Sequence, residues 1–196
     1  MQLWSHKVTQ DTLAQDTKTR TDEAQALREM LVSKIQESRE PSSTVIPVAL
    51  CGKAEQVGCI VIAGLRPEYE VIHFVTSPTS GAAILPALLA SRPPPSHPDA
   101  STIGSGNYAA APRAVILGRA FDDAATAVLQ EAVADARVQA SADVRTVPWL
   151  RQDSSKPMPP IGPKYGEAIV ARVRVALARL EEEGKLNGSY GGDEWY

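Results

Sequence analysis

A cysteine and a histidine on two neighbouring predicted strands are the first residues in this sequence that could do chemistry. Cys51 ends the apolar run 45–50 and directly precedes a predicted helix, whose dipole lowers the pKa of a thiol. His73 lies in a second apolar run, and its imidazole could approach Cys51 if the two strands are adjacent. Together they would form a nucleophile–base pair. Burial of both side chains in the core is the simpler, favoured interpretation.

Two glycines bracket the turn between the first strand and the first helix, in the segment GKAEQVG at 52–58. Dinucleotide-binding folds carry their phosphate loop at this position. Backbone N–H groups at a helix N-terminus attract anions, and glycine lets a pyrophosphate approach closely. Gly52, Lys53 and Gly58 are therefore predicted to bind a cofactor or an anionic ligand. An equally weighted alternative is that both glycines serve a tight turn and helix–sheet packing.

Further candidates follow the later predicted strands, and one lies in the long loop 91–112. An indole and a guanidinium after the fourth strand could line a site for an aromatic or anionic molecule. The loop could close over that site. The predicted cofactor contacts are Thr76, Ser77 and Gly118, and the predicted substrate contacts are Tyr108, Trp149 and Arg151.

Asp122 and Asp123 follow the third predicted strand and could act as an acid–base pair or bind a cation. We retain Asp122 as a catalytic candidate beside Cys51 and His73, although capping of the following alanine-rich helix is the simpler explanation. The histidines are widely separated along the chain and lack ligand spacing with the cysteines. No metal site is therefore predicted.

The elements that must position these residues alternate between strand and helix. Short apolar runs predict strands at 45–50, 70–76, 114–118 and 143–150, and helical periodicity predicts helices at 54–65, 80–90, from 122 onward and at 165–183. Parallel neighbours require a crossover, which a helix supplies. The alternation predicts an α/β fold with a small Rossmann-like parallel sheet of about four strands, flanked by helices. Ligands of such sheets bind at the carboxyl ends of the strands.

The predicted domain organisation has three parts. A partly disordered helical arm covers 1–40, the α/β domain covers 41–186 and ends in a C-terminal helix, and 187–196 form a flexible tail unless its aromatic residues dock. The loop 91–112 lacks periodicity, which is typical of a functional lid or a disordered segment. The edges of a small sheet need cover, which favours a homodimer through the arm or an edge helix.

Composition and charge exclude several classes of function. The net charge is −3 and the pI is near 5.7, which disfavours binding to nucleic acid or a membrane surface. No apolar run reaches the roughly 18 residues of a membrane helix, and the first residues lack the apolar segment of a signal peptide. These features predict a cytoplasmic protein whose two cysteines, Cys51 and Cys59, are free thiols.

In its strand–helix alternation and its Gly52…Gly58 loop, the chain resembles the NAD(P)-binding Rossmann superfamily, including its short-chain and NmrA-like members. The resemblance implies a nucleotide cofactor, with NAD(P) as one option, at the 52–58 loop. Counted from Gly52, however, a G-x-G-x-x-G motif has Ala54 and Val57 in its glycine positions, and no Tyr-x-x-x-Lys pair exists. From Val45 onward the chain is also similar to uncharacterised proteins of filamentous fungi, which implies no activity.

Three functional hypotheses follow. The first is a protein that binds a nucleotide or small anionic metabolite at the strand ends and lacks intact dehydrogenase machinery. The second is a non-redox enzyme of small-molecule metabolism, including secondary metabolism, that uses the same crevice. The third is an interaction protein that recruits a partner through its helical arm.

Overall fold

The computed structural model describes residues 45–139 and 144–196, together with Gln25. Strands and helices alternate strictly through the two described ranges. The strands are β1 (Ile46–Cys51), β2 (Tyr69–Val75), β3 (Val115–Leu117), β4 (Trp149–Arg151) and β5 (Asp193–Trp195), and the helices are α1 (Glu55–Leu65), α2 (Pro78–Leu89), α3 (Asp123–Gln139) and α4 (Pro163–Glu182). The predicted arm at 1–40 lies outside the described residues, apart from Gln25.

The five strands form one parallel sheet in the order β2-β1-β3-β4-β5. The predicted α/β fold is therefore confirmed. An order of 2-1-3-4-5 is the flavodoxin-like form of the doubly wound fold, whereas the Rossmann form has the order 3-2-1-4-5-6. The direction of winding reverses between β1 and β3. The loops after β1 and β3 lead to helices on opposite faces of the sheet and so leave a crevice at the carboxyl ends of the strands.

Helices cover both faces of the sheet, and this explains the continuous apolar runs in the sequence. α1 packs with α4 and α2 packs with α3. Alternate residues of β1 point to opposite faces of the sheet. Val48 and Leu50 pack in the core under α1 and α4, while Ala49 and Cys51 pack in the core under α2 and α3. Every residue of β1 is buried. A strand covered on both faces needs apolar residues at every position.

The segment predicted to be a flexible tail contributes the fifth strand instead. Asp193–Trp195 pair in parallel with β4, and Tyr196 is only 3% exposed. The Tyr196 hydroxyl donates a hydrogen bond to the carbonyl oxygen of Leu117 at 3.0 Å. The strand is short and two of its three residues are acidic, so it lacks the alternation of apolar and polar residues by which a strand is predicted. Docking of the terminal aromatic residues, which sequence analysis left open, keeps it on the sheet.

The second helix begins earlier than predicted and continues through its internal proline. α2 starts at Pro78, after Ser77, whose hydroxyl oxygen accepts a hydrogen bond from the Ser80 N–H at 3.1 Å. A proline in the first turn costs nothing, since that N–H has no helical acceptor. Pro86 lies inside the helix without ending it.

β4 begins later than predicted. It spans only Trp149–Arg151, at the end of the predicted 143–150 strand.

The long loop 91–112 lies along the outer edge of β2. Its backbone makes hydrogen bonds to the strand, with the Ser105 N–H donating to the Val71 carbonyl at 2.9 Å and the Gly106 N–H to the Ile72 carbonyl at 3.1 Å. Gly104 has φ +123°, and a Cβ there would lie 2.8 Å from the Ile72 carbonyl oxygen. The loop therefore requires glycine at this point, and it covers an edge that would otherwise invite pairing with another chain.

None of the helices in the described part of the chain combines the length and the apolarity required to cross a membrane.

Candidate functional site

A cavity of about 830 Å³ opens at the carboxyl ends of β1, β3 and β4. It includes the β1/β3 switch point, where doubly wound sheets bind their ligands. Its volume lies within the range of small-molecule sites. The crevice that topology predicted is therefore present as a cavity large enough for a metabolite.

One wall of the cavity is the N-terminus of α1. Ala54 is the N-cap residue and its side chain makes no capping hydrogen bond. The first helical hydrogen bond runs from the Gly58 N–H to the Ala54 carbonyl at 3.0 Å. The N–H groups of the first turn therefore lack intrahelical acceptors. Such a helix end, which carries a partial positive charge, attracts anions.

Basic side chains supply the charge of the cavity. Lys53, Arg119 and Lys156 line it, and the described lining residues include no aspartate or glutamate. Lys156 pairs with Asp153 at 3.5 Å. Among the described residues, no salt bridge involves Lys53 or Arg119. The cavity therefore carries an excess of positive charge, although the whole chain is acidic.

The remaining lining is largely apolar and includes the proline-rich segment before α4. Arg172 of α4 donates a hydrogen bond from Nη2 to the Pro157 carbonyl at 2.7 Å, which ties this segment to the helix. A wall of this kind suits a ring system. The apolar lining side chains are those of Leu50, Val57, Val61, Phe74, Pro157, Met158, Pro159, Pro160, Ile161 and Ile169.

Gln152 is a polar lining residue that sequence analysis did not single out. It directly follows β4 and is 9% exposed. Its Oε1 accepts hydrogen bonds from the Arg119 backbone N–H and from the Tyr165 hydroxyl, both at 3.1 Å. A glutamine near the carboxyl end of a predicted strand is a weak signal. The sequence pattern does not distinguish this residue, because the predicted strand ends at 150 and a polar residue after a strand is common in loops.

The residues predicted to contact a cofactor divide into two groups. Gly52, Lys53, Gly58 and Gly118 all line the cavity. Thr76 and Ser77 do not line it: the Thr76 hydroxyl donates to the Asp99 carbonyl at 2.7 Å, and Ser77 caps α2. The division follows from strand order, because β2 lies on the far side of β1 from β3.

The two loop glycines pack against an aromatic ring. A Cβ added to Gly58 would lie 2.7 Å from Cε2 of Phe74, and one added to Gly52 would lie 3.3 Å from the same ring. Both positions therefore leave little room for a side chain. This supports the interpretation that the glycines serve helix–sheet packing.

Cys51 and His73 do not form a nucleophile–base pair. The strand register places Cys51 opposite Val75 and His73 opposite Ala49. Burial raises the pKa of the Cys51 thiol far above its ordinary value, so the thiol stays protonated. His73 Nδ1 lies 3.0 Å from the Tyr108 hydroxyl, and burial lowers the pKa of its imidazole. The favoured interpretation, two core residues, agrees with this geometry.

Asp122 has a structural partner outside the cavity. Its Oδ1 accepts a hydrogen bond from the Ala125 N–H at 2.9 Å, which makes it the cap of α3. Asp123 binds the guanidinium of Arg151 instead. The two carboxylates therefore have separate structural roles.

The three predicted substrate contacts also have structural partners outside the cavity lining. The Arg151 guanidinium pairs with Asp193 at 3.0 Å and lies 4.6 Å from the ring centroid of Trp195. Trp149 is 4% exposed in the core under α2 and α3, and Tyr108 contacts His73. Within the described ranges, no three histidine, cysteine or acidic residues are grouped closely enough to hold a metal ion.

Comparison with known proteins gives one informative match. Kojic acid related protein 6 of Aspergillus oryzae is 34% identical over 144 residues, which are 72% of this chain and 82% of that protein. The predicted similarity to fungal proteins is thereby confirmed. No protein-family model matches the chain, and no solved structure matches it either.

Proposed function

We propose, from the premise that this chain belongs to the same family as kojic acid related protein 6 of Aspergillus oryzae, that the protein binds a small anionic metabolite or a nucleotide. The binding site is the cavity at the carboxyl ends of β1, β3 and β4.

The charge of the cavity is the observation that carries this proposal. Lys53 and Arg119 lie on the loops after β1 and β3 and line the same cavity as the uncapped N-terminus of α1. With no acidic side chain among the described lining residues, the site favours an anion over a cation or a neutral molecule. A phosphate or carboxylate at the end of α1 would satisfy N–H groups that have no helical acceptor.

The shape of the cavity supports a ligand with an apolar body behind its anionic group. About 830 Å³ is enough for a molecule of mononucleotide size. The side chains of Val57, Met158 and Ile169 provide an apolar surface for a ring. A nucleotide combines a phosphate with a planar base and so matches both parts of the site.

The structure favours binding over hydride transfer or nucleophilic catalysis. Cys51 borders the cavity as a fully buried thiol with a raised pKa, while His73 and Asp122 have hydrogen-bond partners outside the cavity. The 52–58 loop has Ala54 and Val57 where a G-x-G-x-x-G motif has glycines, which argues against intact dehydrogenase machinery. NAD(P) remains among the ligands to be tested, because its phosphates could also use the end of α1.

Isothermal titration calorimetry with a defined panel tests this proposal. The panel contains AMP, IMP, UMP, CMP, NAD(H), NADP(H), coenzyme A and kojic acid. We expect at least one anion to bind, and Lys53→Ala and Arg119→Ala to weaken it by about tenfold each, as for the loss of a charged contact. Arg92→Ala removes the same charge from an exposed position outside the cavity and is the matched control.

Two results would contradict the proposal. The first is the absence of heat and of thermal stabilisation with every anion of the panel. The second is binding that Lys53→Ala, Arg119→Ala and Arg92→Ala weaken to the same extent, since this would place the anion elsewhere on the surface.

A second candidate function, an enzyme of small-molecule metabolism, is favoured by the name of the relative, which links that protein with kojic acid. The ligand of the cavity would then be its substrate. Untargeted metabolite comparison between a deletion strain and its parent tests this candidate. We expect a compound to accumulate in the deletion strain and to return to its normal level when the gene is restored, and unchanged profiles would contradict the candidate.

A further inference from the structure

The acceptor atom of the Gln152 side chain is fully used by the protein. Oε1 receives the Arg119 N–H from the loop after β3 and the Tyr165 hydroxyl from α4, both at 3.1 Å. A carbonyl oxygen has two lone pairs, and both are engaged. The contact with Arg119 also fixes which way the carboxamide points, since the opposite orientation would set its NH₂ group against a backbone N–H that can only donate.

The donor atom of the same side chain remains available. Nε2 makes none of the hydrogen bonds of Gln152, and it is not among the buried side-chain atoms without partners in the described residues. Because Gln152 lines the cavity and Nε2 is neither a fully buried atom without a partner nor engaged in its described hydrogen bonds, its N–H groups are accessible to a ligand. The side chain therefore offers a ligand donors and no acceptor.

Gln152 lies beside the Arg119 backbone and follows β4, whereas the N-terminus of α1 follows β1. β1, β3 and β4 are adjacent in the sheet, so the end of β4 lies two strand spacings from the end of β1, or about 10 Å. A phosphate–sugar–base unit can bridge such a distance. With its phosphate at the N-terminus of α1, the ring of the ligand would reach Gln152.

We propose that Gln152 determines the specificity of this cavity and selects rings that present a hydrogen-bond acceptor, such as a keto oxygen, over rings that present an amino group. The inference rests on the proposed function. An amino group facing Nε2 would leave two donors opposed and unpaired in a largely buried place, which costs much more than a lost contact in water.

Two pairs of nucleotides test this preference. IMP and UMP carry a keto group where AMP and CMP carry an amino group, and the ring nitrogen beside it is protonated only in the keto forms. We expect IMP to bind at least about tenfold more tightly than AMP, or UMP than CMP, in calorimetric titrations of the whole protein.

The variant Gln152→Glu supplies the specific control. A glutamate keeps one oxygen for Arg119 and Tyr165 and places a second acceptor where Nε2 stood. The preference should then invert, so that the amino member of the pair binds more tightly. The added negative charge weakens both members alike, and the ratio of their affinities removes this common effect.

The outcomes separate the two proposals. Binding of the nucleotides without a keto preference, or a preference that Gln152→Glu leaves unchanged, would overturn the role of Gln152 alone. Absence of binding by all four nucleotides would overturn this inference, and absence with the whole panel would overturn the proposed function as well. If Gln152→Glu does not fold, Gln152→Met removes both polar atoms at similar length, and the ratio should fall to about one.

Discussion

His73 Nδ1 lies 3.0 Å from the hydroxyl oxygen of Tyr108, and this contact joins the edge strand β2 to the loop 91–112. His73 was predicted to be catalytic and Tyr108 to contact substrate. The two side chains meet away from the cavity, and Nε2 of the histidine is buried without a partner in the described residues. The contact therefore holds the loop on the sheet and lies outside the cavity lining.

Removing the hydroxyl group of Tyr108 should weaken the attachment of the loop 91–112 to the sheet. Tyr108→Phe leaves Nδ1 of a buried imidazole without a partner, so we expect the free energy of unfolding to fall by about 1–2 kcal/mol. Urea denaturation measures this change. Thr102→Ala alters an exposed residue of the same loop that makes no side-chain hydrogen bond within the described residues, and it should stay within about 0.5 kcal/mol of the parent protein. Equal losses in the two variants would show that the hydroxyl is not the cause.

The same histidine should make stability depend on pH. Burial lowers its pKa in the folded protein, whereas the unfolded chain takes up a proton near the ordinary value of 6.5. Below pH 6.5 the unfolded state therefore binds more protons than the folded state. The free energy of unfolding decreases as the pH is lowered, until the pKa of the folded state is reached. Urea denaturation at about pH 7.5 and about pH 5.5 measures the loss.

His73→Phe removes this contribution and should flatten the pH dependence relative to the parent protein. His97→Gln, which replaces the histidine of the loop 91–112, is the matched control. Identical pH slopes in the parent and in His73→Phe would mean that another group is responsible.

Gly58 should be intolerant of a methyl group because of Phe74. In Gly58→Ala the new Cβ would lie 2.7 Å from Cε2 of the ring, and overpacking of this kind costs about 1–3 kcal/mol, partly offset by the better helix propensity of alanine. Urea denaturation should show the loss, and the same substitution in a Phe74→Leu background should cost less. Additive effects in the double variant would contradict direct packing between the two residues.

Tyr196 should contribute far more to stability than the aromatic residue before it. Tyr196 is 3% exposed and Trp195 is 50% exposed, although they are neighbours in the chain. We expect Tyr196→Ala to lower the free energy of unfolding by about 3–5 kcal/mol, as for other buried aromatic residues, and Trp195→Ala by about 1 kcal/mol. Chemical denaturation of the two variants provides the comparison, and similar losses would mean that β5 is not docked as described.

Local sequence patterns predicted the layered architecture because the apolar pattern of each segment reflects which of its faces are buried. Apolar runs at 45–50 and 114–118 mark strands covered on both faces, and they correspond to β1 and β3. The fifth strand escaped prediction, since Asp193–Trp195 owe their place to pairing with β4 and to the burial of Tyr196. Nothing within three residues encodes a partner that lies about forty positions earlier in the chain.

For the site, the alternation of strands and helices predicted a crevice at the ends of the strands, and Gly52, Lys53, Gly58 and Gly118 line the cavity found there. Strand order decided the rest. Because β1 lies between β2 and β3, Thr76 and Ser77 are carried away from the cavity, while Gln152 and Arg119 are brought together across two loops. The sequence shows which residue types follow each strand. Which distant side chains come together depends on long-range packing, which only the folded chain establishes.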